Sequence, residues 1–151
     1  MTTDDTLEIM AAEAVLGLGD AERLTRGAVG LLTAGFDSRA LVELAGLSGT
    51  DTGEARVLRD RALGEMSVAV PSPREATIRL ARELARKIVD GSLPPYDGAE
   101  RIWDLTLRIN PERIHELDPF VYAASEWRSR PGDRPFFESA IVSEARALLD
   151  R

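Results

Sequence analysis

The amino-acid sequence predicts an all-α fold of seven or eight short-to-medium helices in a compact bundle. Apolar residues recur at steps of three and four along most of the chain, which is the period of an α-helix, and no segment alternates as a strand does. Residues that start and stop helices separate these segments at short intervals. Apolar residues make up 44% of the chain and aromatic residues only 5%, so the core is expected to consist mainly of Leu, Ala, Ile and Val.

Four helices are predicted before residue 67, each with a start signal. Acidic and hydroxyl side chains accept hydrogen bonds from the free amides of a first turn, and glycine adopts the left-handed conformation that ends a helix. Gly27 and Gly30 lie inside the second helix, where each costs about 1 kcal/mol relative to alanine, so close packing is expected at both. In chain order the start signals are Asp5 with Glu8, Asp20, Asp37 or Ser38, and Asp51 with Glu54, and the stop signals are Gly17 or Gly19, Gly35 and Gly46. The apolar positions are Leu7, Met10, Ala11, Ala14, Val15 and Leu18; Leu24, Ala28, Leu31 and Leu32; Leu41, Val42, Leu44 and Ala45; and Val57, Leu58, Ala62, Leu63 and Met66.

The fifth predicted helix has the strongest start signal, the run Ser72-Pro73-Arg74-Glu75. It combines an N-cap serine, a proline at the first helical position and a glutamate at the third. Gly91 and the prolines at 94 and 95 are expected to end this helix. Later starts are predicted near Pro95–Asp97, at Asn110-Pro111 for a short helical turn, and at Asp118-Pro119, and a turn at 130–133 precedes the last helix. The apolar positions expected to face inward are Leu80, Ala81, Leu84, Ala85, Ile88 and Val89; Ala99, Ile102, Trp103 and Leu107; Phe120, Val121, Ala124 and Trp127; and Phe136, Phe137, Ala140, Ile141, Ala145, Leu148 and Leu149.

The composition changes at residues 68–73, between the fourth and fifth helices. This change predicts an acidic N-terminal helical lobe over residues 1–67 and a C-terminal helical lobe over residues 72–151. The alternative is one domain over residues 1–151 in which two lobes share a core, because 151 residues fit a single domain.

The net charge of −7 is unevenly distributed along the chain. Residues 1–70 contain twelve carboxylates against six arginines, whereas residues 71–151 contain fourteen carboxylates against thirteen basic residues. A field of this sign repels nucleic acid and anionic membranes and attracts basic partners. The expected partner is therefore another protein with a basic surface, which the N-terminal half would attract.

The chain has no cysteine and a single histidine, His115. Thiolate nucleophiles and thiolate metal ligands are therefore excluded, and any histidine-based relay must use that one residue. We accordingly predict no catalytic residue, no metal ligand and no cofactor. The polar N-terminus does not resemble a signal peptide, and no apolar run reaches membrane-spanning length, so we expect a cytoplasmic location without a membrane partner.

Residues 41–66 offer an alternative function, that of a DNA-binding transcriptional regulator. The run LVELAGLS, followed by a threonine, resembles the helix-turn-helix of bacterial repressors. Against it, the turn is about two residues too long, and the second helix opens with acidic residues that would face phosphates. This alternative requires Arg56, Arg59 and Arg61 to form an exposed basic patch.

A carboxylate-dependent enzyme is a further alternative. Acidic pairs such as Asp97 with Glu100 could bind a divalent ion, but each pair lies at a predicted helix start, where carboxylates are expected for capping. Glu112-x-x-His115 matches half of a di-iron motif, and the second histidine that such a site needs is missing. The enzyme would require a pocket containing two or more acids of raised pKa.

Both tryptophans and both tyrosines lie between residues 91 and 127. Such side chains bury a large area while needing one polar partner, which suits a protein interface as well as a core. We expect Trp103 and Trp127 to lie largely inside the C-terminal lobe, each indole N–H bonding a backbone carbonyl or a carboxylate, and Asp97 to pair with Arg101. The candidate interface residues are Tyr96, Asp97, Arg101, Tyr122, Glu126 and Trp127.

Taken as a whole, the sequence favours a small acidic protein-interaction module without enzymatic activity. An adaptor, an inhibitor or an immunity-type partner of a basic protein would have this charge and this residue usage.

Overall fold

The all-α prediction is confirmed by the structure, a computed structural model that describes residues 2–48 and 50–151. Met1 and Gly49, which belong to the predicted polar N-terminus and the predicted loop 48–53, lie outside the described residues. In the described part of the chain there are eight α-helices, two short 3₁₀ turns and no strand. The helices are α1 (Thr3–Leu16), α2 (Ala21–Thr33), α3 (Arg39–Ala45), α4 (Thr52–Glu65), α5 (Pro73–Asp90), α6 (Pro95–Arg108), α7 (Asp118–Ser129) and α8 (Arg134–Leu149), and the 3₁₀ turns are His115–Leu117 and Pro131–Asp133.

The chain forms two compact units, unit 1 (Met1–Ala76) and unit 2 (Thr77–Arg151). The change from one unit to the next falls inside the first turn of α5, after the residues 68–73 at which the composition changes. The lobe boundaries expected from the sequence, 1–67 and 72–151, stay a prediction. Among the described residues, no helix is both long and apolar enough to cross a bilayer.

Unit 1 is a bundle in which α2 packs against α1, α3 and α4. Because the apolar positions of α2, α3 and α4 repeat at three- and four-residue steps, each helix turns one stripe inward. The core is aliphatic, and its deeply buried side chains include Leu24, Ala28, Leu31, Leu41, Leu44 and Ala55.

The predicted starts of three helices in unit 1 are confirmed, and one is wrong. The side chains of Asp20, Ser38 and Asp51 each accept a hydrogen bond from the first turn of α2, α3 and α4. In α1, however, the N-cap is Thr2, and Asp5 completes its capping box from the third helical position. Asp5 is therefore the third helical residue of the capping box and not its N-cap, because the Thr2 hydroxyl accepts a hydrogen bond from the Asp5 amide.

The two glycines inside α2 differ in their surroundings. A Cβ atom at Gly27 would lie 2.8 Å from the Met10 methyl group of α1, as expected for close packing. Gly30 is exposed and a Cβ atom there would meet nothing within 4 Å, so the close packing predicted at this position is wrong.

Unit 2 places α7 between α6 and α8, and α6 also contacts α8. Its core contains the fully buried side chains Ala99, Ile102, Leu117, Phe120, Ala124 and Ile141. Helix α5 approaches α6 closely, because a Cβ atom at Gly98 would lie 2.5 Å from Ile88. The guanidinium of Arg82 in α5 donates to the carbonyl oxygens of Leu148 (2.7 Å) and Leu149 (3.2 Å) at the end of α8.

Several predicted positions in unit 2 are wrong. Val89, Leu107 and Phe136 are exposed, and Leu105 and Ile109 take the inward positions of α6 and its C-cap.

The start signal Ser72–Glu75 is confirmed, because the Ser72 hydroxyl accepts a hydrogen bond from the Glu75 amide at 3.1 Å.

The expected helix starts at Asn110 and Asp118 do not cap helices. Asn110 lies in the turn that follows α6. Asp118 is the first residue of α7 and makes no side-chain cap; its carboxylate instead accepts a hydrogen bond from Arg113 at 2.8 Å. A cation within reach thus replaces the backbone amides as the donor to this carboxylate.

Candidate interaction site

The main candidate site is a surface cluster of aromatic rings and guanidinium groups in unit 2. The rings of Tyr96 (α6) and Trp127 (α7) are stacked, with centroids 3.8 Å apart and planes 6° apart. The guanidinium carbon of Arg134 (α8) lies 3.8 Å from the Trp127 ring centroid. Since Tyr96 fills one face of the indole, Arg134 covers the other, and three helices meet at one side chain.

Two hydrogen bonds fix the orientation of Trp127. Its indole N–H donates to a carboxylate oxygen of Glu138 at 3.1 Å. Its backbone carbonyl, near the end of α7, accepts a hydrogen bond from Nε of Arg134 at 3.2 Å. Arg134 therefore holds both the ring and the backbone of the same residue.

A second arginine completes the aromatic–arginine cluster, which we define as Tyr96, Trp103, Trp127, Arg128 and Arg134. The guanidinium of Arg128 lies 5.0 Å from the Trp103 ring centroid. It donates through Nε to the Tyr96 hydroxyl and through Nη2 to Glu100 at 2.9 Å.

These polar contacts shift the pKa values of the groups involved. Hydrogen bonds from Tyr96 and then Arg128 lower the pKa of Glu100. Partial burial, followed by the hydrogen bond to Glu100, raises the pKa of Tyr96. Hydrogen bonds to Tyr96 and Glu100 raise the pKa of Arg128. Tyr96 thus stays a neutral phenol, and Glu100 and Arg128 stay an ion pair, at neutral pH.

Helical spacing explains how the chain assembles this cluster. Tyr96, Glu100 and Trp103 are separated by four and three residues, so they share one face of α6. Trp127 and Arg128 lie in the last turn of α7, and the 3₁₀ turn Pro131–Asp133 leads directly into α8. This short connection brings Arg134 back over Trp127.

A second arginine centre lies next to the cluster along the chain. Arg130 pairs with Asp133 at 2.8 Å and with Glu126 at 3.6 Å, and its guanidinium lies 5.6 Å from the Phe137 ring centroid. Phe137 is buried, and the edge-on ring of Phe136 beside it is 69% exposed. An exposed aromatic ring therefore flanks an ion-paired arginine.

The structure brings together two of the six candidate interface residues and separates the others. Tyr96 and Trp127 stack directly, and Glu126 is joined to this region through Arg130. Tyr122 is 62% exposed. The expected ion pair between Asp97 and Arg101 is not formed: both side chains are exposed, and Asp97 lies in the first turn of α6, where the helix dipole already stabilises a carboxylate. Whether these residues form an interface stays a prediction.

Both tryptophans are partly buried in unit 2, in keeping with the expected position largely inside the lobe, and neither is fully buried. The expected carboxylate partner of the Trp127 indole N–H is confirmed as Glu138. The indole N–H of Trp103 finds no acceptor among the described residues, and its ring contacts a cation instead. Both rings therefore contribute to the surface of unit 2 as well as to its packing.

Sequence reasoning missed three residues of this region, Arg128, Arg134 and Glu138, and it named Glu100 only as a possible metal ligand beside Asp97. The helical spacing could have placed Glu100 in the cluster, because it lies four residues after Tyr96 and three before Trp103, on the same face of α6. No local pattern marks Arg134, since its contact with Trp127 depends on how the 3₁₀ turn joins α7 to α8.

Two of the three arginines of α4 in unit 1, Arg56 and Arg59, bond the α1–α2 connection, so they do not form the exposed basic patch that the DNA-binding alternative requires. Arg59 is 1% exposed, pairs with Asp60 at 2.9 Å and donates to the Leu18 carbonyl. Arg56 donates to the Gly19 carbonyl at 2.8 Å. Of the three arginines that a basic patch would need, the structure leaves Arg61 exposed.

Gly19 belongs to the same arrangement. Its φ of +109° is one that side chains rarely adopt, and a Cβ atom there would lie 2.7 Å from a guanidinium nitrogen of Arg59. Glycine at this position therefore lets the buried arginine reach the α1–α2 connection.

The carboxylates of the described residues bear on the enzyme alternative, which requires two or more acids of raised pKa in a pocket. Burial raises the pKa of Glu13, but this side chain bonds Arg23 through both oxygens at 3.2 and 3.3 Å. Within residues 2–48 and 50–151, no group of three or more His, Asp or Glu side chains is arranged to hold a metal ion. His115 is 78% exposed and its Nδ1 lies 3.5 Å from Asp118.

Comparison of the chain with protein-family models, with curated proteins and with solved structures finds no match in any of the three. The geometry of its two units is therefore the basis for a functional proposal.

Proposed function

We propose that the chain is a non-enzymatic protein-interaction module whose partner presents a basic surface. The observation that carries the proposal is the charge of unit 1. Residues 1–76 contain thirteen carboxylates and seven arginines, a net charge of −6. One acidic residue, Glu13, and one basic residue, Arg59, are buried. Because their charges cancel, the exposed residues of unit 1 keep the full excess of negative charge.

The charge of unit 2 supports the assignment of electrostatic attraction to unit 1. Residues 77–151 contain thirteen carboxylates and twelve basic residues, a net charge of −1. A basic partner would therefore be drawn to unit 1, where complementary charge increases the association rate and disfavours acidic competitors.

The aromatic–arginine cluster of unit 2 supports protein binding on different grounds. Tryptophan, tyrosine and arginine are the residues most enriched among those that dominate binding energy at protein interfaces. Trp127 and Tyr96 are held in place before any partner arrives, so their ordering would cost little on binding. An adaptor or an immunity-type inhibitor of a basic protein fits both units, and the cysteine-free composition supports a cytoplasmic location for it.

The test is capture of partners from the native lysate, followed by affinity measurements with the purified partner. We expect a basic protein whose affinity falls as NaCl is raised from about 0.1 M to about 0.5 M. The double variant Asp37→Lys/Glu54→Lys changes two exposed carboxylates of unit 1 that form no ion pair, and it should weaken binding about tenfold.

The matched control is Asp104→Lys/Glu112→Lys, which changes the charge by the same amount at two exposed positions of unit 2 outside the candidate interface residues. This control should bind like the unmodified protein. Equal weakening by both double variants, or a captured partner without a basic surface, would contradict the proposal.

A further inference from the structure

The three arginines that lie over aromatic rings in unit 2 differ in their carboxylate partners. Arg128 pairs with Glu100 and Arg130 pairs with Glu126 and Asp133. Among residues 2–48 and 50–151, Arg134 makes one hydrogen bond, from Nε to the Trp127 carbonyl, and its guanidinium has no carboxylate partner. It is therefore a charged group held in one orientation whose remaining donors are unused.

The terminal nitrogens of Arg134 are also accessible. The Arg134 side chain is half-buried, and its Nη atoms are not among the buried, unpartnered atoms of the described residues, so each keeps some contact with solvent. A guanidinium presents its donors as a planar fork that matches the two oxygens of a carboxylate. Stacking on Trp127 and the Nε hydrogen bond already restrict its rotamers, so little side-chain entropy remains to be lost on binding.

We propose that Arg134 is a binding site for a carboxylate group on a protein or peptide ligand. This site is independent of the basic surface proposed for the partner of unit 1. The acidic surroundings favour a singly charged carboxylate over a phosphate, since Asp133 precedes Arg134 and Glu138 follows it by one helical turn. Both carboxylates would repel a group of charge near −2 more strongly than one of charge −1.

Small paired ligands test this proposal directly on the unmodified protein. N-acetylphenylalanine and N-acetylphenylalaninamide differ only in that the first ends in a carboxylate, and phenyl phosphate supplies the other anion. Nuclear magnetic resonance can follow the Nε–H of Arg134 and the indole N–H of Trp127 during each titration. We expect saturable shifts of both signals with the acid, and affinity at least about tenfold lower for the amide.

Arg134→Lys keeps the positive charge and removes the planar fork, so it should abolish the difference between acid and amide. Arg146→Lys, at an exposed arginine of α8, should preserve it. The melting temperature of Arg134→Lys shows whether the change also loosens Trp127. Equal binding of acid and amide by the unmodified protein, tighter binding of phenyl phosphate, or an unchanged preference in Arg134→Lys would each overturn the proposal.

Discussion

Unit 1 places a guanidinium in its interior, where Arg59 is 1% exposed and bonds the chain between α1 and α2. Unit 2 contains a surface cluster in which the guanidinium groups of Arg128 and Arg134 lie over tryptophan rings. The cores differ accordingly: unit 1 packs leucine and alanine, and unit 2 adds Phe120 and Phe137 to them.

The comparison shows that arginine has a different structural role in the interior of unit 1 and in the surface cluster of unit 2. In unit 1 it supplies donors to partly buried backbone carbonyls of the irregular α1–α2 connection. In unit 2 it supplies a flat, weakly hydrated surface that extends the few aromatic rings. A chain with 5% aromatic residues can thus still build a stacked cluster.

Replacing the buried arginine should give the largest effect. Arg59→Ala removes the donor to the Leu18 carbonyl and leaves a cavity, so we expect a loss of about 3 kcal/mol in the free energy of unfolding. Hydrogen exchange of the α2 amides would measure this loss within unit 1. Arg61→Ala, at an exposed position of the same helix, is the control and should leave exchange unchanged. Similar exchange in both variants would contradict the buried role of Arg59.

Breaking the surface stack should have a slightly smaller effect. Trp127→Ala removes a half-buried ring together with its hydrogen bond to Glu138, and we expect a loss of about 2–3 kcal/mol. A double-mutant cycle with Tyr96→Ala should give a coupling of about 1 kcal/mol, because the two rings contact each other. Urea unfolding followed by circular dichroism measures both. Tyr122→Ala is the exposed control, and additive effects of Tyr96→Ala and Trp127→Ala would mean that the stack contributes nothing.

Two glycines inside helices should respond to alanine in opposite directions. Gly98→Ala in unit 2 places a methyl group 2.5 Å from buried Ile88, so we expect a loss of about 1–2 kcal/mol. Gly30→Ala in unit 1 meets nothing within 4 Å and should gain up to about 1 kcal/mol from helix propensity. Thermal unfolding of both variants measures the difference. A gain in stability for Gly98→Ala would show that α5 can move away from α6.

The sequence predicted the features that depend on local chemistry. Asp20, Ser38, Asp51 and Ser72 were identifiable as caps, because a cap is formed within three residues of the chain. Helix ends could also be predicted, as at Gly17, whose φ of 69° suits glycine.

Contacts between helices could not be predicted from the sequence in the same way. Leu107 has apolar spacing yet is 61% exposed, because the packing of α6 against α7 and α8 selects a neighbouring stripe. The contacts of Arg59 with Leu18 and of Arg134 with Trp127 join residues whose proximity no periodicity encodes. Tyr96 and Trp127 were identified as unusual, but their stacking follows from the crossing of two helices.

The smallest expected effect is a pair of opposite pH dependences, one in each unit. Burial raises the pKa of Glu13 above its ordinary value of 4.5, so the folded state binds this proton more tightly than the unfolded state. Relative to Glu13→Gln, the stability of the unmodified protein should therefore fall as pH rises from about 4.5 through the raised pKa. Hydrogen bonds lower the pKa of Glu100, so relative to Glu100→Gln stability should fall as pH drops below about 4.5 through the lowered pKa. Hydrogen exchange of α2 reports on unit 1, and tryptophan fluorescence reports on unit 2 because both tryptophans lie there. Slopes of the same sign in the two comparisons would mean that Glu13 is stabilised by Arg23 more than it is penalised by burial.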